Sequence, residues 1–65
     1  MRPTYHYDKN HKMIYVGQKV RAGDKTWTVV IREDDGKSPY RLESEDGEIR
    51  RLNEFGAQQL EVCNG

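Results

Sequence analysis

Thr26-Trp27-Thr28-Val29-Val30-Ile31-Arg32 is the stretch that decides the fold. All but its last residue are β-branched or aromatic, side chains that fit a pleated, half-buried surface. A period of two puts Trp27, Val29 and Ile31 on one face and Thr28, Val30 and Arg32 on the other. Upstream, Gln18-Lys19-Val20-Arg21-Ala22 repeats the alternation, with Val20 and Ala22 on one face and Lys19 and Arg21 on the other. Gly23-Asp24 between the two stretches is a turn signal. Downstream, residues 33–39 read as a loop in which Asp35-Gly36 supplies a turn and Pro39 disfavours a helix. Tyr40-Arg41-Leu42-Glu43-Ser44 then alternates again, and Asp46-Gly47 turns the chain back into Glu48-Ile49-Arg50-Arg51-Leu52.

The register of that last hairpin stays open. A two-residue loop sets Ser44 against Ile49, Leu42 against Arg51 and Glu43 against Arg50, whereas a four-residue loop sets Leu42 against Ile49; a three-residue loop shifts the pairing as well. Beyond it, Asn53-Glu54-Phe55-Gly56-Ala57-Gln58-Gln59 suits a single helical turn with Asn53 as its cap, and Leu60-Glu61-Val62 is a short closing strand. The spacing predicts an all-β fold, a five-stranded barrel over residues 14–62 with a short helical turn before the last strand. Its expected core is Val20, Trp27, Val29, Ile31, Leu42, Ile49, Leu60 and Val62. Residues 63–65 are a C-terminal tail. Residues 1–13 are polar and dotted with tyrosine, and residues 4–7 are either a short edge strand or an unstructured tail. With no alternating apolar face, Met1 to His11 are expected to be mobile in an isolated monomer.

The chain resembles the SH3-like small barrels of the Tudor and KOW type. The resemblance rests on Val16-Gly17-Gln18-Lys19-Val20 at the barrel's opening, the Trp27-led second strand, Pro39-Tyr40-Arg41-Leu42 with its Asp46-Gly47 hairpin, and Leu60-Glu61-Val62 after a short turn. Such barrels serve many unrelated functions. In Tudor-type domains aromatic side chains gathered on one rim hold a methylated cation through cation–π attraction. The resemblance points to Tyr40 and Phe55 as cage-like candidates, with Tyr15 beside them as a partner-binding residue. Trp27 shares a face with Val29 and Ile31 and is better read as core. A second resemblance is to the plasmid-borne type II dihydrofolate reductases, SH3-like barrels that build one active pore from four subunits. Gly17-Gln18-Lys19-Val20 matches their Gly-x-x-Val opening, but Glu48-Ile49-Arg50-Arg51-Leu52 stands where that family carries its pore-lining Val-Gln-Ile-Tyr. The activity is therefore not carried over.

Composition narrows the remaining classes. Of 65 residues, 34% are hydrophobic and 34% charged, and the formal net charge is zero. A mean hydropathy of -1.06 leaves no segment for a membrane span. A domain this short buries only about 60% of its unfolded surface, so a partner or self-association would supplement a thin core. Cys63 is the single cysteine, which excludes an intrachain disulfide, and the first residues lack the apolar stretch of a signal peptide; a cytoplasmic location is expected. Catalysis is not expected: the sole cysteine nucleophile with a histidine base would be Cys63 with His6 or His11, at a frayed end. No cofactor is expected. Nor is a metal, since His6 and His11 flank Asp8 without further ligands at matched spacing.

The zero net charge hides an asymmetry. Residues 1–32 hold seven basic and two acidic side chains, a net +5, while residues 33–65 hold four basic and nine acidic, a net −5. Lys19, Arg21, Arg50 and Arg51 are the candidate phosphate contacts if the barrel binds nucleic acid, as KOW-type barrels on RNA-linked proteins do. The preferred expectation is different: a non-catalytic adaptor, a regulatory or mobile-element accessory factor, that engages a protein partner through its barrel surface.

Overall fold

The computed structural model describes residues 2–32 and 39–63. Their regular elements are seven β-strands and two short 3-10 turns, with no α-helix. The strands are β1 (Pro3–Tyr7), β2 (Met13–Tyr15), β3 (Lys19–Ala22), β4 (Lys25–Ile31), β5 (Tyr40–Ser44), β6 (Ile49–Arg51) and β7 (Leu60–Val62); the 3-10 turns span Leu52–Glu54 and Ala57–Gln59. Strands β3 to β7 form one antiparallel sheet in the order β6-β5-β4-β3-β7, while β1 and β2 form a hairpin of their own. The two end strands of the large sheet, β6 and β7, are not hydrogen-bonded to each other. The turn expected at Asp35-Gly36 lies outside the described residues.

The sheet follows from alternation and turn chemistry. In β4, Trp27 and Val29 are buried and the alternating positions Thr26, Thr28 and Val30 are half-buried, as the period of two requires. Val20 pairs with Trp27 on one side and Val62 on the other, while Val29 pairs with Leu42, so the apolar rows of four strands lie side by side. Ala22 pairs with Lys25 across a two-residue Gly23-Asp24 turn. Gly23 has φ 65° and Asp24 is not in the positive-φ region, the pattern of a type II′ turn, whose twist matches that of the flanking strands. Ile14 from β2 and Leu52 from the first 3-10 turn complete a core of Ile14, Val20, Ala22, Trp27, Val29, Leu42, Leu52, Leu60 and Val62.

The β5–β6 hairpin takes the three-residue loop. Glu43 pairs with Ile49, Leu42 with Arg50 and Arg41 with Arg51. The Ser44 amide donates to the Glu48 carbonyl at 2.8 Å, and Gly47, at φ 92°, turns the loop through a conformation that glycine adopts without strain. This register corrects the expected core. Because Glu43 lies on the outer face, its neighbour Ile49 lies there too, 43% exposed, and the inner position beside Leu42 goes to Arg50. A slip of one residue moves a strand's whole side-chain set to the opposite face. Ile31, also expected in the core, is only half-buried at the end of β4.

Of the two readings left open for residues 4–7, the structure takes the strand. Within the segment from Met1 to His11, expected to be mobile, the described residues from Pro3 on are docked by polar contacts, which leave no apolar alternation to read. The Thr4 hydroxyl donates to the Ile14 carbonyl at 2.7 Å and accepts from the His6 amide. Asp8 is only 1% exposed, and its carboxylate accepts from three backbone amides: Asn10 (2.9 Å), Lys12 (2.8 Å) and Val62 (2.9 Å). The Lys9 amide adds a bond to the Leu60 carbonyl at 2.9 Å. The hairpin is thereby clasped to the outer edge of β7.

Candidate functional site

The residues singled out by sequence fall into separate places. Tyr40, at the start of β5, is half-buried, with its ring edge-on to His6 at 6.2 Å and its hydroxyl donating to the Pro3 carbonyl at 3.5 Å. Phe55 packs instead against Trp27, ring centres 5.8 Å apart, beside the core. Tyr15 is half-buried at the end of β2, its amide donating to the Gln18 side-chain oxygen at 2.9 Å. The ring contacts among the described residues thus join Tyr40 to the N-terminal hairpin and Phe55 to the core. They do not join Tyr40 to Phe55.

The four basic candidates also divide. Lys19 and Arg21 are exposed on β3; Arg50 and Arg51 belong to β6, three strand steps away, or about 14 Å along the sheet. Arg21 and Arg51 lie on the outer face, where Arg21 pairs across strands with Glu61 and Arg51 with Arg41. Arg50 turns to the inner side and its guanidinium donates to Glu48 at 2.7 Å. Cys63 is exposed, with its amide bonded to the Lys19 carbonyl. Among the described residues no group of three His, Cys, Asp or Glu side chains lies close enough to hold a metal ion. None of the described helical turns is long and apolar enough to cross a membrane.

Two surface features emerge that the residue patterns did not reveal. The first is a charged rim at the β3–β4 and β5–β6 turns. The Lys25 ammonium sits 2.6 Å from Glu48 and 3.6 Å from Asp46, and 5.6 Å from the centre of the Trp27 ring. Glu48 also holds Arg50, and the Ser44 hydroxyl bonds the Asp46 carboxylate. The hydrogen bond from Lys25, then that from Arg50, holds the Glu48 carboxyl below its usual value; the Ser44 hydroxyl does the same for Asp46. Glu48 in turn raises Lys25 above the ordinary lysine value. A shallow cavity of about 310 Å³ opens beside this rim, lined by Asp24, Lys25, Thr26, Ser44, Glu45 and Asp46. Every charge named in the rim has an opposite partner, so it is chemically a closed network rather than a reactive group awaiting substrate.

The second feature is a tyrosine surface on β1. Pro3 pairs with Tyr15 and Tyr7 with Met13, so the stretch between them carries two more residues than its partner and bulges. Tyr5 sits in that bulge at φ 61°, 73% exposed. A bulky residue in the left-handed region is a genuine outlier and costs of order 1–2 kcal/mol. The Thr4 hydroxyl, bonded to both Ile14 and His6, holds the distorted backbone in place. Tyr7, 48% exposed, lies two residues on. Sequence reading saw the tyrosines but had no signal for the bulge: nothing local marks a tyrosine for positive φ. Asp8, which anchors the same hairpin, did carry a local signal, since Asp8 and Asn10 at this spacing form an Asx turn. Its bond to Val62, across 54 residues, has no sequence signature.

Comparison of the chain with protein-family models, with curated proteins and with solved structures gives no match. The functional reading therefore rests on the site alone.

Proposed function

We propose that this chain is a small non-catalytic binding module that engages a protein partner through the tyrosine surface of its N-terminal hairpin. The observation that carries the reading is Tyr5, which is held in a strained conformation and exposed to solvent at once. Backbone strain persists where the surroundings over-determine it, and it clusters at functional positions. Exposed tyrosines supply a large amphipathic contact area at low entropic cost, the composition of a protein-binding surface. Tyr40, a candidate from sequence, supports the hairpin from below through His6 and the Pro3 carbonyl. The SH3-like barrel of the Tudor and KOW type is the fold we propose for the scaffold; the strand order β6-β5-β4-β3-β7, with a 3-10 turn leading into the last strand, supports it.

Capture on the tagged full chain from its native cells, with protein and nucleic acid both analysed, tests the reading. A protein retained by the wild type and lost by the Tyr5→Gly/Tyr7→Ser variant is the expected result. Retention of the same protein by that variant would remove the hairpin from the account. Oligonucleotide binding with a log–log salt slope of about −3, lost when Arg50 and Arg51 are both changed to Glu, would instead support phosphate binding by Lys19, Arg21, Arg50 and Arg51.

A further inference from the structure

The two edges of the five-stranded sheet are treated differently. On β7 the Val62 amide is taken by the Asp8 carboxylate and the Leu60 carbonyl by the Lys9 amide, so the hairpin covers that edge. On β6 the alternation of an antiparallel ladder leaves backbone groups facing out. Ser44 and Glu48 are a hydrogen-bonded pair, so the next pair, Glu43 with Ile49, is not, and the Ile49 amide and carbonyl point away from β5. Arg51 is the next residue turned outward, and its amide is capped by the Glu54 carboxylate at 2.8 Å. Ile49 is therefore the one β6 residue presenting both a donor and an acceptor at this edge among the described residues. Its side chain is also the only exposed large hydrophobic of the five-stranded sheet among those residues.

We propose that this edge is a self-association surface, on which a second copy of the chain pairs antiparallel about a two-fold axis at Ile49, with Glu48 of each copy opposite Arg50 of the other. The local sequence Glu48-Ile49-Arg50 makes the edge complementary to itself in that arrangement and in no other antiparallel register centred on β6. The two Ile49 residues exchange two backbone hydrogen bonds, and their side chains meet on the outer face. On the opposite face the two Glu48 and two Arg50 side chains alternate in sign around the axis, extending the Glu48–Arg50 pair already present in each copy. Gly47 falls opposite Arg51 of the other copy. With no side chain there, it leaves room for the Glu54 carboxylate that caps the Arg51 amide. The same cap limits pairing to the centre of the strand, which makes a weak, reversible dimer the expected form. The Arg50 and Arg51 charges oppose any parallel or shifted pairing, in which like charges would meet.

Sedimentation of the full chain over a concentration series reaching about 1 mM reads the association. The expected result is a monomer–dimer equilibrium in which the Ile49 amide exchanges more slowly as the dimer fills. Arg50→Glu sets carboxylates against carboxylates across the axis and weakens the dimer about tenfold or more. Mixing the Arg50→Glu chain with a Glu48→Arg chain restores opposite charges and brings association back as a heterodimer, whereas each alone associates less than the wild type. A wild type that stays monomeric throughout the series would overturn the proposal. So would a dimer whose Ile49 amide exchanges at the monomer's rate, or an Arg50→Glu variant that self-associates as tightly as the wild type. The exchange measurement on the wild type stands even if Glu48→Arg, which loses the Lys25 pair, fails to fold.

Discussion

The five-stranded sheet and the N-terminal hairpin are held by opposite kinds of interaction. The sheet is held by apolar rows: Val20, Trp27, Val29, Leu42, Leu60 and Val62 are buried in register with one another. The hairpin sends one apolar side chain, Ile14, into that core and otherwise relies on two buried polar groups, Thr4 and Asp8. Burial of apolar area is non-directional and tolerates small shifts, whereas a buried carboxylate is stable only while its donors stay in place. The sheet should therefore fail by cavity formation, and the hairpin by loss of a single hydrogen-bond acceptor.

The largest effect expected is on the sheet. Trp27→Ala should cost about 3–5 kcal/mol, enough to unfold a domain of this size, as read by chemical denaturation. Trp27→Phe sharpens the point. The indole N–H is buried and has no acceptor among the described residues, so replacing the ring by one without a polar atom removes an unsatisfied donor along with some volume. Its cost should be a small part of that of Trp27→Ala. A Trp27→Phe variant as unstable as Trp27→Ala would mean the indole contributes through something other than packing.

Asp8→Ala should cost about 2–3 kcal/mol, less than Trp27→Ala, by stranding the Val62 amide and opening the Asn10–Lys12 turn. The effect has a pH signature. Burial pushes the Asp8 carboxyl up, but the bonds from Val62, Lys12 and Asn10 outweigh it and leave the group below its ordinary value. A carboxylate depressed on folding stabilises the protein fully above its unfolded value, about 3.9, and progressively less as pH falls through the lower folded value. The stability gap between the wild type and Asp8→Asn should accordingly be constant at neutral pH and close in acid. A gap independent of pH would remove the charge from the explanation.

How much of this was legible in the sequence follows from the same contrast. The alternation of Val20-Arg21-Ala22 and Trp27-Thr28-Val29 exposes β3, β4 and their pairing, because apolar burial leaves a periodic trace. Asp46-Gly47 reveals a turn but not its length, and the one-residue ambiguity decides whether Ile49 is core or edge. Asp8 and Thr4 leave no such trace: their partners, Val62 and Ile14, are backbone groups, and any residue type supplies those. The tyrosine surface was missed for the same reason. Tyr15, Tyr40 and Phe55 stand at strand ends in the sequence, while Tyr5 is brought out by a bulge that the Thr4 hydroxyl braces.

The smaller predictions concern the bulge itself. Thr4→Val removes a hydroxyl that both donates and accepts, and should cost about 1 kcal/mol. Tyr5→Gly should do the reverse and leave stability unchanged or slightly raised, since glycine occupies positive φ without strain, at some cost in unfolded-state entropy. Thermal unfolding of the two variants reads both. A Tyr5→Gly variant destabilised as much as Thr4→Val would show that the tyrosine ring packs usefully and that the strain argument for a binding role is unfounded.

Amide hydrogen exchange on the wild type and on Asp8→Ala tests most directly whether one carboxylate holds the hairpin to an independently folded sheet. The amides to follow are those bonded away from Asp8: Lys9, which donates to Leu60, and Val16, which donates to Arg2, against Val20, Val29 and Leu42 in the sheet. In the wild type the hairpin amides should open at lower free energy than the sheet. In Asp8→Ala they should exchange close to unprotected rates while the sheet amides, though faster than before, remain protected. Hairpin amides that stay as protected as those of the sheet, or a single unfolding that takes both regions together, would contradict it.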